Sequence, residues 1–319
     1  MVTGPPSPGF GGRPHRLSPL AAVLRADNPG PMTLTGTNSY LLSDASRGVI
    51  VVDPGPDDHG HVDRLAAAGA AAGGIELILL THRHDDHSGG AARLHALTGA
   101  PVRAVDSTFC RGGGEPLRAG ERVGPVGSVG SVGSVDSVGS VGSVVEVLGT
   151  PGHTADSVCF RLADGSVLTG DTVLGRGSTV ITAPDGSLRD YLATLGVLAD
   201  CGPVPMLPGH GPVRPDLAAV VTGYLTHRMD RLTEIRSALD TVGAIDTLSG
   251  RVDWIGGAPI AIGGELVATI TDLVYAEVDP AVRPAAEQSV RAQLDYLRTD
   301  RELPSLPDPS SPPDPPNLR

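Results

Sequence analysis

The sequence predicts an α/β body followed by a smaller, mostly helical unit, and three observations carry that reading. Short β-branched runs end in polar residues and alternate with helical patterns, the texture of strands that collect a ligand at their C-terminal ends. After Pro215 this alternation gives way to long amphipathic patterns. The length, 319 residues, allows two domains or one large one.

Taken in order, residues 1–31 hold seven prolines, which predicts a poorly ordered or extended lead-in. Strands are expected at 48–53 (GVIVVD), 77–80 (LILL), 144–148 (VVEVL), 157–162 (SVCFRL) and 166–171 (SVLTGD). Helical patterns at 59–71, 89–98 and 188–199 complete a body over 32–215. Within it, six consecutive triplets from Val126 to Ser143, five Val-Gly-Ser and one Val-Asp-Ser, match neither the strand nor the helix period. They read as an expanded loop. The second unit, 216–302, is expected to hold helices at about 216–242, 268–278 and 281–299, with a Gly-rich stretch at 250–265. In the last helix Val282, Ala286, Val290, Leu294 and Leu297 fall on one face. Seven further prolines in 303–319 predict a second unordered tail.

Composition narrows the function classes. Glycine and proline supply 72 of the 319 residues, about 23%, just under the roughly 25–30% at which an aperiodic chain reads as low complexity. The apolar share is 40%, and no run approaches the roughly 18 residues that a membrane span needs. Only nine residues are aromatic, so the core must be built from Val, Leu, Ala and Ile, and few rings are available for base stacking. All 24 basic residues are Arg against 36 acidic ones; a net charge of −12 disfavours whole-surface binding to nucleic acid or anionic lipid but leaves room for a local Arg cluster. Cys110, Cys159 and Cys201 fit no Cys-x-x-Cys spacing and read as small apolar residues of a reducing compartment. The N-terminus shows no apolar signal segment, so a cytoplasmic protein is expected.

The strongest chemical signal is Thr81-His82-Arg83-His84-Asp85-Asp86-His87, directly after the apolar run LILL. Several imidazoles and a carboxylate at one strand end crowd donors that a cation would hold together, and the mixture suits zinc or a similar divalent metal rather than magnesium or calcium. Three later segments each place a Gly-flanked His or Asp at or after a strand: Thr150-Pro151-Gly152-His153-Thr154, Leu168-Thr169-Gly170-Asp171-Thr172 and Leu207-Pro208-Gly209-His210-Gly211. Together these four segments hold five of the ten histidines. Asp53, in Val51-Val52-Asp53-Pro54-Gly55, is read either as a carboxylate orienting these imidazoles or as a turn residue before Pro54. His15, His59, His61, His95 and His227 lie outside the motifs and are expected at the surface.

These segments resemble the metallo-β-lactamase superfamily of metal hydrolases, whose H-x-H-x-D-H, T-P-G-H-T, G-D and G-H motifs they match over residues 33–215. The resemblance implies a four-layer αββα sandwich with the metals at one edge. It also implies two zinc ions: His82, His84 and His153 on one, Asp86, His87 and His210 on the other, and Asp171 bridging both. Such a pair, about 3.5–4 Å apart, lowers the pKa of a shared water to supply hydroxide and polarises the scissile carbonyl or phosphoryl oxygen. Asp86 is the residue of this set expected to be needed for turnover without being needed for the fold. A narrower resemblance, carried by residues 28–40 (NPGPMTLTGTNSY), 207–213 (LPGHGPV) and 224–228 (YLTHR), is to the β-lactamase-like protein 2 group. It implies a winged-helix-like C-terminal domain, from which the triplet insert and the Gly-rich stretch depart. It also implies hydrolysis either of single-stranded RNA or of carrier-bound acyl thioesters.

Three function classes follow. An endoribonuclease is supported by the group resemblance and by Arg228, Arg231 and Arg236 on one predicted helix, although acidic balance opposes it and those arginines read first as a solvated face. Hydrolysis of a small ester or thioester, including chemistry like that of hydroxyacylglutathione hydrolase, needs only the metal site and a pocket. No set of cations for the glutathione carboxylates is recognisable. A non-catalytic metal-binding or redox module is disfavoured because all seven expected ligands are present. A true β-lactamase is rejected on the missing signal segment and on Asp171, a residue that the resemblance assigns to the superfamily's nucleases and thioesterases. The expected partners are thus a small ester or thioester or single-stranded RNA, with no membrane.

Overall fold

Alternating apolar residues bury both faces of two mixed sheets, and this pattern sets the layer order. The structure is a computed structural model that describes residues 12–43, 48–124, 145–243, 254–255, 258–259 and 262–299. The first sheet runs in chain order: β1 (His15–Arg16), β2 (Ala21–Arg25), β3 (Asn38–Leu42), β4 (Val49–Val52), β5 (Ile75–Leu79) and β6 (Val102–Arg103). Its β4–β5 and β5–β6 pairs are parallel and the others antiparallel. The second comprises β7 (Arg122–Val123), β8 (Val145–Gly149), β9 (Val158–Arg161), β10 (Val167–Gly170) and β11 (Met206–Pro208), in the order β11-β10-β9-β8-β7, with only β10–β11 parallel.

Residues two apart along each strand line one face. Ile50, Val52, Leu77 and Leu79 of the first sheet meet Val147, Val158, Phe160 and Leu168 of the second to form the central core. The opposite face of the first sheet, with Val49, Val51 and Ile78, packs on α1 (His59–Ala71) and α3 (Ala91–Thr98) through Val62, Leu65 and Leu94. That of the second, with Cys159, Val167 and Met206, packs on α4 (Leu188–Ala199) and α5 (Leu217–Thr241) through Tyr191, Leu195, Leu217 and Val221. The result is helix, sheet, sheet, helix. As the paucity of aromatics predicted, the core is aliphatic, with Phe160 and Tyr40 the rings that join its centre.

The helix starts follow from their caps. Asp58, Ser187 and Asp216 each accept a hydrogen bond from the third residue onward, His61 N, Asp190 N and Ala219 N, at 2.6, 3.3 and 2.9 Å, which satisfies backbone donors that the first turn leaves open. A single turn, α2 (Asp85–Ser88), lies inside the His-rich segment. Beyond α5 come the ribbon β12 (Trp254–Ile255) and β13 (Ala258–Pro259), then α6 (Gly264–Val274) and α7 (Arg283–Thr299). Ala286, Val290 and Leu294 are buried as the periodicity required. Val282 instead ends a short 3-10 turn, Pro280–Val282, and is half-buried.

Several features go beyond the sequence reading. Of the lead-in expected to be poorly ordered or extended, residues 12–31 include the extended five-residue strand β2, in which Ala21, Val23 and Leu24 are buried and pair with β3. The second unit is not set apart from the body, since the first half of α5 and Tyr296 of α7 share one core with α4. Its far half packs separately, with Ile235 and Leu239 against Ile270, Val290 and Leu294. Arg228, expected on a solvated face, is 4% exposed. Cys159 is buried, and its thiol is pushed up to about 12 by burial, whereas Cys110 and Cys201 are half-buried. The triplet insert at 126–143, most of the Gly-rich stretch and the 303–319 tail lie outside the described residues. Among the described residues no helix is long and apolar enough to cross a membrane.

Candidate metal centre

Strand direction brings the four His/Asp segments together. β4 and β5 are parallel, β10 and β11 are parallel, and β8 runs the same way as β10 because each is antiparallel to β9. Their C-terminal ends therefore meet along one edge of the sandwich, and there they deliver Asp53, His82, His153, Asp171 and His210. Backbone and side-chain bonds pin the two sheets at this edge: Val158 N donates to Thr81 O at 2.8 Å, while Asn38 Nδ2 and the Tyr40 hydroxyl donate to Pro208 O at 2.9 and 2.7 Å. Two glycines make the approach possible. A Cβ at Gly209 would lie 2.6 Å from Asp171 Oδ1 and 2.7 Å from His87 Cε1. At Gly170, with φ of +48°, it would strike Thr81 Oγ1 at 2.7 Å.

All seven residues singled out by the motifs converge. Three overlapping sets have donor atoms within 4.8 Å of one another: His82, His84 and His153; His82, His87 and Asp171; Asp86, His87 and His210. His84 Nδ1 faces His82 Nε2 at 3.0 Å and His153 Nε2 at 3.1 Å, and His87 Nε2 faces His210 Nε2 at 3.2 Å. Asp171 lies between the groups, with Oδ1 3.3 Å from His87 Nε2 and Oδ2 3.3 Å from His210 Nε2 and 3.9 Å from His153 Nε2. Asp86 Oδ2 is 3.0 Å from His210 Nε2.

The remaining ring nitrogens fix which tautomers are present. His82 Nδ1 lies 3.0 Å from Thr81 Oγ1, His87 Nδ1 2.9 Å from Asp53 Oδ2, His153 Nδ1 2.7 Å from Val180 O and His210 Nδ1 3.4 Å from Gly36 O. The Thr81 hydroxyl spends its own proton on Asp53 Oδ2 at 2.7 Å, so it accepts from His82. Each of these Nδ1 atoms thus faces an acceptor, which turns Nε2 of His82 and His153 toward His84 Nδ1 and sets Nε2 of His87 and His210 against each other. Ring nitrogens crowded in this way repel unless a cation sits among them, and Asp171 Oδ1 is also buried without a hydrogen-bond partner. The residues fit divalent metal.

Electrostatics point the same way. Burial, helped by the neighbouring His87 and His153 rings, holds His82 well below the usual imidazole range, and burial likewise lowers His153. Burial works to raise Asp171, but the His87 and His210 charges outweigh it and keep this carboxyl well below the ordinary range; in turn, against burial, the Asp171 carboxylate lifts His87 well above the usual imidazole range and His210 to about 9, a positive charge that a bound cation would supply in their place. Asp171 stays ionised.

Asp53 has features of both readings. It is 1% exposed, accepts from Thr81 N, Thr81 Oγ1 and His87 Nδ1, and so ties together rings of both groups. Its φ of +52° shows that it also makes the turn. His61 was expected at the surface but is fully buried, 2.8 Å from Ser39 Oγ through Nε2. Burial, then the Arg64 charge, push it down to about 4. The signal that could have found it was its position in the apolar stripe of α1 beside Val62 and Leu65. His59 is exposed, and His95 and His227 are half-buried.

A sandwich of this order with this ligand edge defines a class. The chain belongs to the metallo-β-lactamase superfamily, whose description matches residues 32–210. It is 30% identical over 288 residues to a beta-lactamase-like protein 2 homolog of Caenorhabditis elegans, covering 90% of this chain and 86% of that one. Over 228 residues it is 32% identical to an atrochrysone carboxyl ACP thioesterase of Aspergillus chevalieri, covering 70% and 67%. A beta-lactamase domain protein from Burkholderia ambifaria shares the fold at a TM-score of 0.67, with 20% identity over 90% of this chain and 88% of that one. So does a metallo-beta-lactamase family protein from Thermus thermophilus, with a TM-score of 0.64, 23% identity and coverage of 89% and 95%.

Proposed function

We propose that this protein is a binuclear metal-dependent hydrolase of acyl thioesters. The observation that carries the reading is the convergence of five imidazoles on Asp86 and Asp171 at one edge between the sheets. In it, His82, His84 and His153 hold one zinc or similar divalent ion, Asp86, His87 and His210 hold the second, and Asp171 serves both. Ions bound there would supply a water that ionises near neutrality and would polarise the scissile carbonyl. Asp86, more open to solvent than Asp171, is placed to accept a proton from the attacking water. Asp53 holds His82, through Thr81, and His87 in the tautomer that presents Nε2.

The thioester is favoured over RNA for two reasons. Arg228 is buried and Arg231 is paired with Glu234, which removes two of the three arginines that a basic helix face would need. The likeness to a fungal thioesterase supports the acyl substrate. The winged-helix-like reading of α6, α7 and the β12–β13 ribbon rests on the group resemblance.

Zinc content and hydrolysis test the proposal together. Two equivalents of zinc are expected after reconstitution, and a chelator should abolish cleavage of acyl thioesters by the parent protein while His84→Ala shows none. Less than one equivalent with activity intact would overturn the mechanism; cleavage of single-stranded RNA by the parent, with thioesters untouched, would overturn the substrate class.

A further inference from the structure

Tyr224-Leu225-Thr226-His227-Arg228 belongs to no metal motif, yet its Arg228 is buried beneath the centre. A buried guanidinium without a carboxylate partner is costly, and among the described residues Arg228 has no ion pair and its Nε has no hydrogen-bond partner. What it does have is the Tyr191 ring, 5.0 Å away under the guanidinium, and the carbonyl of Thr179, to which Nη2 donates. That carbonyl belongs to the peptide joining Thr179 to Val180.

The next carbonyl along, Val180 O, is the acceptor that orients His153 Nδ1 at 2.7 Å. The Thr179 hydroxyl meanwhile donates to Asp171 O at 2.8 Å. One short segment thus touches a ring of the first group and the backbone of the shared carboxylate. Two tyrosines of the helical layer hold its other end: Tyr191 OH donates to Thr172 O at 2.7 Å, and Tyr224 OH accepts from Leu174 N at 3.0 Å. Tyr224 and Arg228 stand one turn apart on the same face of α5.

We propose that Arg228 is a positioning residue for the metal centre, fixing the Thr179–Val180 peptide so that His153 presents Nε2 to the ion it shares with His82 and His84. This rests on the binuclear reading above. It makes α5, which contributes no ligand, a determinant of metal affinity. Losing an outer partner of this kind costs about 10–100-fold in metal affinity.

The test is zinc binding by competition with a chromophoric chelator, and the d–d absorbance of the cobalt-substituted protein, on the full-length parent, Arg228→Gln, Arg228→Lys and Leu232→Ala. Leu232 is buried one turn further along α5 in the same core and its side chain has no hydrogen-bonding atom, so its truncation destabilises the same helix without removing the bond. Arg228→Gln is expected to bind one of the two ions about 10–100-fold more weakly with an altered cobalt spectrum. Arg228→Lys should recover part of the affinity, and Leu232→Ala should lower the unfolding midpoint with parental affinity. Parental affinity and spectrum in Arg228→Gln would overturn the inference alone, as would an equal loss in Leu232→Ala. If Arg228→Gln does not fold, Arg228→Lys decides by the same two readouts. A parent that binds no zinc would instead overturn the reading of the centre.

Discussion

Asp53 serves both halves of the centre through three accepted hydrogen bonds, two from Thr81 and one from His87. Asp53→Asn keeps a residue that tolerates the positive φ but puts an amide where the carboxylate accepts. It is expected to weaken zinc binding about 10–100-fold with little change in secondary structure, and parental affinity in a chelator competition would rule the role out. Gly209→Ala should do more, since its methyl group would overlap Asp171 Oδ1; zinc content by elemental analysis should fall below two per chain. His61 makes a different prediction. Its folded pKa, about 4, lies below the roughly 6.5 of an unfolded histidine, so the unfolded chain binds more protons between those values. Its contribution, up to about 3 kcal/mol, is complete above about pH 6.5 and is lost as the pH falls toward 4. Urea unfolding of the parent should weaken more between pH 7 and 5 than that of His61→Gln, and equal slopes would contradict the assignment. The seven motif residues were legible because ligand chemistry demands particular side chains at particular spacings. Arg228 and His61 were not, since burial of a polar side chain depends on what packs over it, and that information lies in distant segments.

At the level of elements, helices were more legible than strands. The α1 and α4 spans coincide with the periodic patterns at 59–71 and 188–199, where caps and an apolar stripe reinforce each other. β2 was hidden among the prolines of the lead-in, β3 begins with polar Asn38 and Ser39, and β11 has only three residues. Such strands are specified by their partners rather than by their own composition. α5 is the element on which most depends, with one half covering the second sheet and the other organising α6 and α7. Asp216→Ala removes its cap and should cost about 1 kcal/mol. Because both cores share this helix, the loss should appear as one shifted thermal transition, and two separated transitions would show that the halves melt independently.

At the level of the whole molecule, the body defined by its motifs ends near residue 215, but the layer that shields it does not. A chain stopped at 215 would leave the outward faces of Tyr191, Leu195 and Leu198 without α5 and α7. It is expected to be insoluble or to melt without cooperativity, and a soluble fragment with a sharp transition would mean that the second sheet needs no cover from this region. The change of texture after Pro215 was legible as a boundary in composition; that the two sides share a core was not, because periodicity reports which face of a helix is apolar and not what it lies against.

Shared cover also has a consequence in time. During synthesis every one of the seven motif residues has been made by His210, yet Leu217 to Met229 and then Tyr296 must still emerge before the second sheet is closed over. At roughly 5–20 residues per second this interval lasts on the order of ten seconds. For that period the nascent chain carries all seven motif residues on a scaffold whose second sheet is still uncovered.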